Sequence, residues 1–304
     1  MQTSTGKTSI QNLNIMIEVE NASSLIEQFE KIYKRKVYRF PFNFIDKSEF
    51  ALLMVKCNNT YISLPYLSQG IIETNPPKFD FQSLSNNWQI RDTVAHSDFI
   101  YSDKVNFEID LQQGYNYTSD IRRKIRKAQL NGVIIKQGVD KNLINDFYKV
   151  YTKRMHQKGV PAIYKRHLIK KVESNSTILF VAYKDNKPIG SASIDKITDS
   201  YFENNLFATL SSANKYYISY LLHYSMINYC KENNAKTYSF GRCTKDSSVY
   251  SFKKHFKAKE IPLYWSSSHK TNSIRNNKWF FSLWKNLPYK LSILIGGLIH
   301  ERIY

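Results

Sequence analysis

Lys236–Trp265 reads KTYSFGRCTKDSSVYSFKKHFKAKEIPLYW. Thr237 and Ser239 alternate with Tyr238 and Phe240, the period of a short strand that ends at Gly241. Ser247 is placed to cap a helix carrying Val249, Tyr250, Phe252, Lys253, Lys254 and Phe256. Ile261–Trp265 reads as a returning strand. This order of strand, turn, helix and strand brings Arg242, Lys253 and Lys254 towards one strand end. Three cations there suit an anionic ligand or a developing oxyanion. The plainer reading of the same residues is a turn glycine, a surface arginine and a solvated lysine pair.

Upstream, the apolar periods alternate between helix and strand. Asn142–Lys158 and Tyr164–Glu173 have helical spacing, and Gly159 and Pro161 end the first of them. Thr177–Tyr183 is apolar and β-rich. Asp185-Asn186-Lys187-Pro188 turns the chain into a second strand, Ile189–Ile197, and Tyr201–Thr209 gives a third. Lys215–Lys231 is expected as one long helix, with Tyr217, Tyr220, Leu221, Tyr224 and Ile227 or Met226 facing inward. The order is two helices, three antiparallel strands, then helix, strand, helix, strand.

Phe240-Gly241-Arg242, Tyr250-Ser251-Phe252-Lys253-Lys254 and Pro262-Leu263-Tyr264-Trp265 together resemble the C-terminal signature of FemAB-like transferases in the GNAT superfamily. The resemblance is to the branch associated with polysaccharide and exopolysaccharide clusters. Ser239 stands where that pattern has aspartate, Cys243 where it has serine, and His255-Phe256-Lys257 where it has Asn-Trp-Gly. Tyr61–Gly70, YISLPYLSQG, resembles a segment in the first half of the same proteins. The resemblance implies an α/β (α+β) fold of tandem GNAT-like domains, with mixed or antiparallel sheets flanked by helices. It also implies a catalytic role for the lysine of the Phe-Lys pair, here Lys253.

The first half is less regular. Ser23–Arg35 reads as a helix; Phe50–Cys57, Thr60–Leu64, Asn87–Ala95 and Val105–Leu111 read as strands; Asn75-Pro76-Pro77 breaks the chain, and residues 1–14 are polar. In Tyr117–Gly132, Ser119 is the expected cap and Ile121, Ile125 and Ala128 share one face. Arg122, Arg123, Lys124, Arg126 and Lys127 cover much of the rest. They read either as a face for phosphate or nucleic acid or as a solvated basic face. The segment also resembles a basic helix of the FemAB-like proteins. The expected division is 1–139, 140–270 and a tail, 271–304.

The chain has 304 residues and a formal net charge of +19, from 44 Lys and Arg against 25 Asp and Glu. Such a surface favours a polyanionic partner: tRNA, acyl-CoA, a lipid-linked sugar diphosphate or an anionic membrane. Cys57, Cys230 and Cys243 form no disulfide framework or zinc pattern, and the seven histidines have no metal-ligand spacing. The N-terminal stretch lacks the apolar core of a secretion signal, and no apolar run is long enough to span a bilayer. The expectation is a cytoplasmic protein, able to work at the inner face of the membrane. In the tail, Trp279, Phe280, Phe281, Leu283 and Trp284 precede Asn286-Leu287-Pro288, and Leu291–Ile299 follows, flanked by Lys285, Lys290 and Arg302. They suit either an interfacial membrane helix or a helix that closes the protein's own core.

Acyl transfer to an amine needs a base for the amine proton and donors for a tetrahedral oxyanion. Asp195 and Glu203 lie on adjacent expected strands as candidate bases. Arg242 and Lys253 are candidates for phosphate binding or carbonyl polarisation. Arg122, Arg123, Arg126, Lys254 and Tyr250 are candidates for substrate or phosphate binding. No tightly bound cofactor is expected. The acyl donor is acyl-CoA, acyl carrier protein or aminoacyl-tRNA, and the acceptor is an amine of a lipid-linked or nucleotide-linked sugar. Ala208–Lys215, ATLSSANK, has no glycine where acetyl-CoA enzymes of the superfamily have a Gly-rich loop, which disfavours acetyl-CoA. The alternative is a non-catalytic RNA- or membrane-binding module on the same fold.

Overall fold

The computed structural model describes residues 22–43, 49–57, 59–68, 70, 87–270 and 278–303. The polar stretch 1–14 and the break at 75–77 lie outside them. The first half comprises α1 (Ala22–Tyr33), β1 (Val37–Asn43), β2 (Glu49–Cys57), β3 (Thr60–Ser63), β4 (Asn87–Asp92), β5 (Phe99–Asp110) and α2 (Ser119–Leu130). The second comprises β6 (Ile134–Gly138), α3 (Lys141–Lys158), α4 (Lys165–Glu173), β7 (Thr177–Lys184), β8 (Lys187–Lys196), β9 (Tyr201–Thr209), α5 (Ile218–Glu232), β10 (Thr237–Ser239), β11 (Cys243–Thr244), α6 (Ser248–Lys254) and β12 (Lys259–Ser267). The tail holds α7 (Lys278–Asn286) and α8 (Tyr289–Ile303). From α3 to β12, apart from the two-residue β11, this is the order expected from the sequence.

The strands form one mixed sheet of twelve, ordered β1-β2-β3-β4-β12-β5-β10-β9-β8-β7-β6, with β11 paired to β5. Only β3–β4 and β9–β10 are parallel among these pairs. The last strand, β12, inserts between β4 and β5 of the first half. The sheet is therefore continuous across residue 140.

Helices cover both faces, which explains why β7 reads as apolar throughout rather than alternating. Phe180 and Ala182 enter a core with Ile121 and Ile125 of α2 and Leu222 and Met226 of α5. Leu179 and Val181 enter the opposite core, with Phe147 of α3 and Leu168 of α4. Gly190 of β8 passes beneath α5, where an added Cβ would lie 3.1 Å from Leu222 and 3.2 Å from Ile218.

Three local expectations change. The cap of α2 is Thr118, whose hydroxyl accepts from the Ile121 N–H at 3.3 Å, because the helix begins at Ser119 itself. The helix expected over 215–231 is two pieces: a 3₁₀ turn, Ser211–Tyr216, and then α5. Tyr217 separates them with φ at 56°, in the left-handed region that continuous helix excludes. Strands β1 and β6, unrecognised in the sequence, close the two edges of the sheet.

The tail packs on α3. Trp284 is buried, Gly296 lies against Ala162, and Gly297 lies against the Tyr164 ring closely enough that a Cβ would collide with it. Tyr289 Oη and Thr152 Oγ1 are 2.8 Å apart, and His156 Nε2 lies 2.8 Å from the Leu287 carbonyl. The inner face of the tail thus closes the protein's own core, while Leu283, Leu291, Leu294 and Leu298 remain exposed.

Candidate active site

The site begins where two parallel strands part. Thr237–Ser239 of β10 pair with Tyr201–Glu203 of β9. Beyond Ser239, β10 ends and β9 continues to Thr209. Gly241 makes the departure possible. Its φ is +70°, and a Cβ there would collide with the Asn204 carbonyl of β9. A cavity of about 760 Å³ opens between the strands, walled also by α3, α6 and the start of α5.

The turn Phe240-Gly241-Arg242 is held from two sides. On one side, Lys253 reaches back from the last turn of α6. Its Nζ donates to the carbonyls of Phe240 at 2.8 Å, Gly241 at 2.5 Å and Arg242 at 3.4 Å. The side chain is buried and borders the cavity. Burial lowers the ammonium to about 8, with Arg242 adding to the fall and the Cys243 and Glu203 side chains opposing it. Lys253 is thus a structural tie whose ammonium is held below the ordinary lysine value by burial.

On the other side stands the stretch Tyr61–Gly70. The Arg242 guanidinium donates to the Leu67 carbonyl and, at 3.2 Å, to the Pro65 carbonyl. The Arg242 N–H donates to Ser68 Oγ at 2.9 Å. Arg91 also donates to the Pro65 carbonyl, at 2.6 Å, and its guanidinium lies 4.2 Å from the Trp265 ring, with Arg242 at 5.6 Å. Two of the stretches that carry the family resemblance, Tyr61–Gly70 and Phe240-Gly241-Arg242, therefore meet in space.

Glu203 closes this arrangement. Its carboxylate accepts from the Ser68 N–H at 3.2 Å and from Ser239 Oγ at 3.1 Å. Burial pushes its carboxyl upward, opposed by the Ser68 hydrogen bond and by Arg242. Ser239 in turn accepts from the Gly241 N–H at 3.1 Å. An aspartate at 239 would set a second buried carboxylate beside Glu203. Serine supplies a neutral bridge instead, leaving Glu203 the sole acid at this point of the cavity wall.

The other expected residues divide. Asp195 is no part of the cavity wall. It is buried and engaged by Lys171 Nζ at 2.5 Å and Thr177 Oγ1 at 2.8 Å, because its strand position faces α4. Arg122, Arg123 and Arg126 are exposed on α2, away from the cavity. Asp120 takes up part of that charge, at 2.5 Å from Arg123 and 2.7 Å from Lys124. Tyr250 is buried, and its hydroxyl donates to Glu260 at 2.8 Å. Lys254 is exposed, 5.7 Å from the Tyr250 ring. Tyr250 and Lys254 border a shallow surface depression rather than the main cavity. Cys243 borders the cavity, but burial raises its thiol, which opposes a thiolate nucleophile. Among the described residues, no group of three His, Cys, Asp or Glu side chains is placed to hold a metal ion.

Cavity residues that the sequence does not single out include Ser68, Lys171, Arg154 and His223. Ser68 lay inside a stretch already marked by resemblance. The others occupy ordinary helical positions, and only tertiary packing turns them inward.

The FemAB family's sequence model matches residues 171–261, the segment from the end of α4 into β12. A UDP-N-acetylmuramoylpentapeptide-lysine N(6)-alanyltransferase from Weissella viridescens is 24% identical over 152 residues, which is 48% of this chain and 44% of that protein. The chain thus matches less than half the length of that relative. Among solved structures, FemX superposes with a TM-score of 0.56 at 11% identity, covering 80% of this chain and 90% of that one. L-PGS from Bacillus licheniformis superposes at 0.54 and 11% identity, covering 90% of this chain and 99% of that one. The segment that forms much of the cavity wall matches the FemAB model, and it sits in a fold that this chain shares with FemX and L-PGS.

Proposed function

We propose that this chain transfers an aminoacyl group from aminoacyl-tRNA to an amine of a cell-envelope precursor. The observation that carries the reading is that Glu203, bonded to Ser239, and Lys253, bonded to the 240–242 turn that follows it, stand on the wall of one cavity. The FemAB match to this segment supports it, as does the relative named as an alanyltransferase acting on a pentapeptide lysine.

The chemistry follows from the two groups. The neutral acceptor amine attacks the ester carbonyl of the donor and a C–N bond forms. Glu203 takes the proton that the amine loses. The C–O bond to the ribose breaks, and the departing oxygen takes a proton from the Lys253 ammonium. Proton return from Glu203 to Lys253, directly or through solvent, resets the site. Lys253 adjoins the cavity as a compact charge for the oxyanion, and Arg242 holds the turn in place.

The donor favoured here is aminoacyl-tRNA. Ala208–Lys215 runs from the end of β9 into the 3₁₀ turn Ser211–Tyr216 without a glycine, so weak acetyl-CoA binding is expected. The net charge of +19 suits a polyanionic donor, with Arg122 and Arg126 outside the cavity available for its backbone phosphates. The acceptor would be a lipid-linked glycan or a peptidoglycan-type precursor, as in polysaccharide biosynthesis. The exposed leucines of α8 and the flanking Lys285 and Lys290 would rest on an anionic bilayer at the inner face of the membrane. In this reading residues 1–139 and 140–270 act as one catalytic body, and 271–304 is its membrane-facing edge.

The test is transfer of labelled amino acid from a charged tRNA pool to UDP-linked and lipid-linked muramoyl pentapeptides, read by mass spectrometry. A new amide on either acceptor supports the reading. Tight tRNA binding with no transfer to any envelope precursor would favour a binding module and overturn it.

A further inference from the structure

His223 lies on α5 and is 2% exposed, and its ring forms part of the cavity wall near Lys253. Aromatic rings surround it. Phe207 stacks on it at 4.7 Å and 15°, and the Phe240 ring centre lies at 4.8 Å. Its Nδ1 is 2.7 Å from the hydroxyl of Tyr238, a fully buried side chain on β10.

That contact decides the tautomer. A buried phenol hydrogen needs an acceptor, and Nδ1 is the one hydrogen-bond partner the Tyr238 hydroxyl has among the described residues. Tyr238 therefore donates, Nδ1 accepts, and the ring hydrogen resides on Nε2. Burial, with the Lys253 charge added, holds the imidazole neutral. The second polar atom of the ring is then a permanent donor in an aromatic setting, where water competes little and a hydrogen bond to growing negative charge is strong.

We propose that His223, held by Tyr238 as its Nε2–H tautomer, donates that hydrogen to the acyl carbonyl oxygen in the cavity as the oxygen becomes an oxyanion. The proposal rests on the acyl-transfer reading above and adds a neutral donor to the charged one at Lys253. Tyr238 is a positioning residue: it touches no substrate and acts through the ring it orients.

The experiment combines ¹⁵N-histidine NMR on the full chain with kinetics of transfer from aminoacyl-tRNA. The wild type should show His223, assigned by its loss in His223→Gln, as the Nε2–H tautomer. His223→Phe fills the aromatic space without a donor and should lose about 100–1,000-fold in kcat with little change in KM. His223→Gln puts an amide N–H near Nε2 and should recover most of that loss. Tyr238→Phe keeps the imidazole, releases the tautomer and should lower kcat by about tenfold, which carries the test if His223→Phe does not fold. An Nδ1–H signal in active wild type, or full kcat in folded His223→Phe or Tyr238→Phe, overturns the role of His223 alone. Wild type that transfers nothing overturns the acyl-transfer reading and the donor role together, and the NMR signal still reports the tautomer.

Discussion

Ser68 and Arg242 are 174 residues apart and joined by a hydrogen bond from the Arg242 backbone N–H to the Ser68 hydroxyl, 2.9 Å long. The same serine gives its own N–H to Glu203. One small side chain from the first half therefore ties the turn that carries the arginine to the candidate base.

Arg242→Ala should cost about 3–6 kcal/mol of stability and most of the transfer activity. It removes two charged hydrogen bonds to carbonyls of the 65–67 segment, each worth roughly 1.5–3 kcal/mol. Arg242→Lys should recover little, because a single ammonium cannot reproduce the fork that reaches both Pro65 and Leu67. Urea unfolding beside turnover measures both effects. Full activity in Arg242→Lys would refute the positional argument.

Lys253→Met should lower kcat by about 100–1,000-fold. Lys254→Ala should stay within about twofold, since that side chain is exposed and borders only the outer depression. If the ammonium form is the working one, the rate falls as pH rises through about 8. Stability moves the other way. The folded value is lowered from the ordinary 10.5, so between about 8 and 10.5 the unfolded chain holds the proton that the folded chain has released. Wild type should gain stability relative to Lys253→Met across that window. Parallel stability curves for the two proteins would refute the shift.

Glu203→Gln should cut transfer by about 100–10,000-fold, the range for loss of a general base. The carboxyl is raised in the folded chain, so the folded chain holds its proton more tightly than the unfolded one. Wild-type stability should then fall, relative to Glu203→Gln, as pH rises from the ordinary carboxylate value through the raised one. Chemical unfolding of the pair from acid to neutral pH reads the difference, and a difference of opposite sign would contradict the burial argument.

The tail separates into two testable faces. Gly297→Ala puts a Cβ into the Tyr164 ring, and Trp284→Ala empties a buried site, so each should destabilise the fold, the latter by about 3–5 kcal/mol. Serine at 291, 294 and 298 should leave the melting temperature near wild type while reducing co-sedimentation with anionic vesicles. Undiminished vesicle binding by the triple variant would show that α8 does not rest on the bilayer through its leucines.

Local patterns were enough for most elements of the second half. The polar turn before Ile189–Ile197, the Ser247 cap and the glycine-ended α3 depend on neighbours a few residues apart, and the sequence shows them directly. The helix at 215–231 was read as unbroken because its apolar spacing runs on through Tyr217. The left-handed φ that divides it has no signature in a tyrosine. Asp195 and Glu203 looked equivalent on paired strands. They are direct partners in the register of β8 with β9 and share one face, but β9 adjoins β10 and β8 does not, so Glu203 meets Ser239 and Ser68 at the cavity while Asp195 is taken up by Lys171 of α4 and Thr177 of β7.

The sequence by itself determined the order of the main elements from α3 to β12, the turn at Gly241 and the stretches bearing the family resemblance, since each is written in residues close together along the chain. Only the tertiary structure decided that those stretches meet, that β12 returns to the first half, and that Tyr238 sets the hydrogen of His223. Those contacts arise when distant segments bury apolar surface together and their polar groups must find partners away from water, a condition that no local spacing encodes.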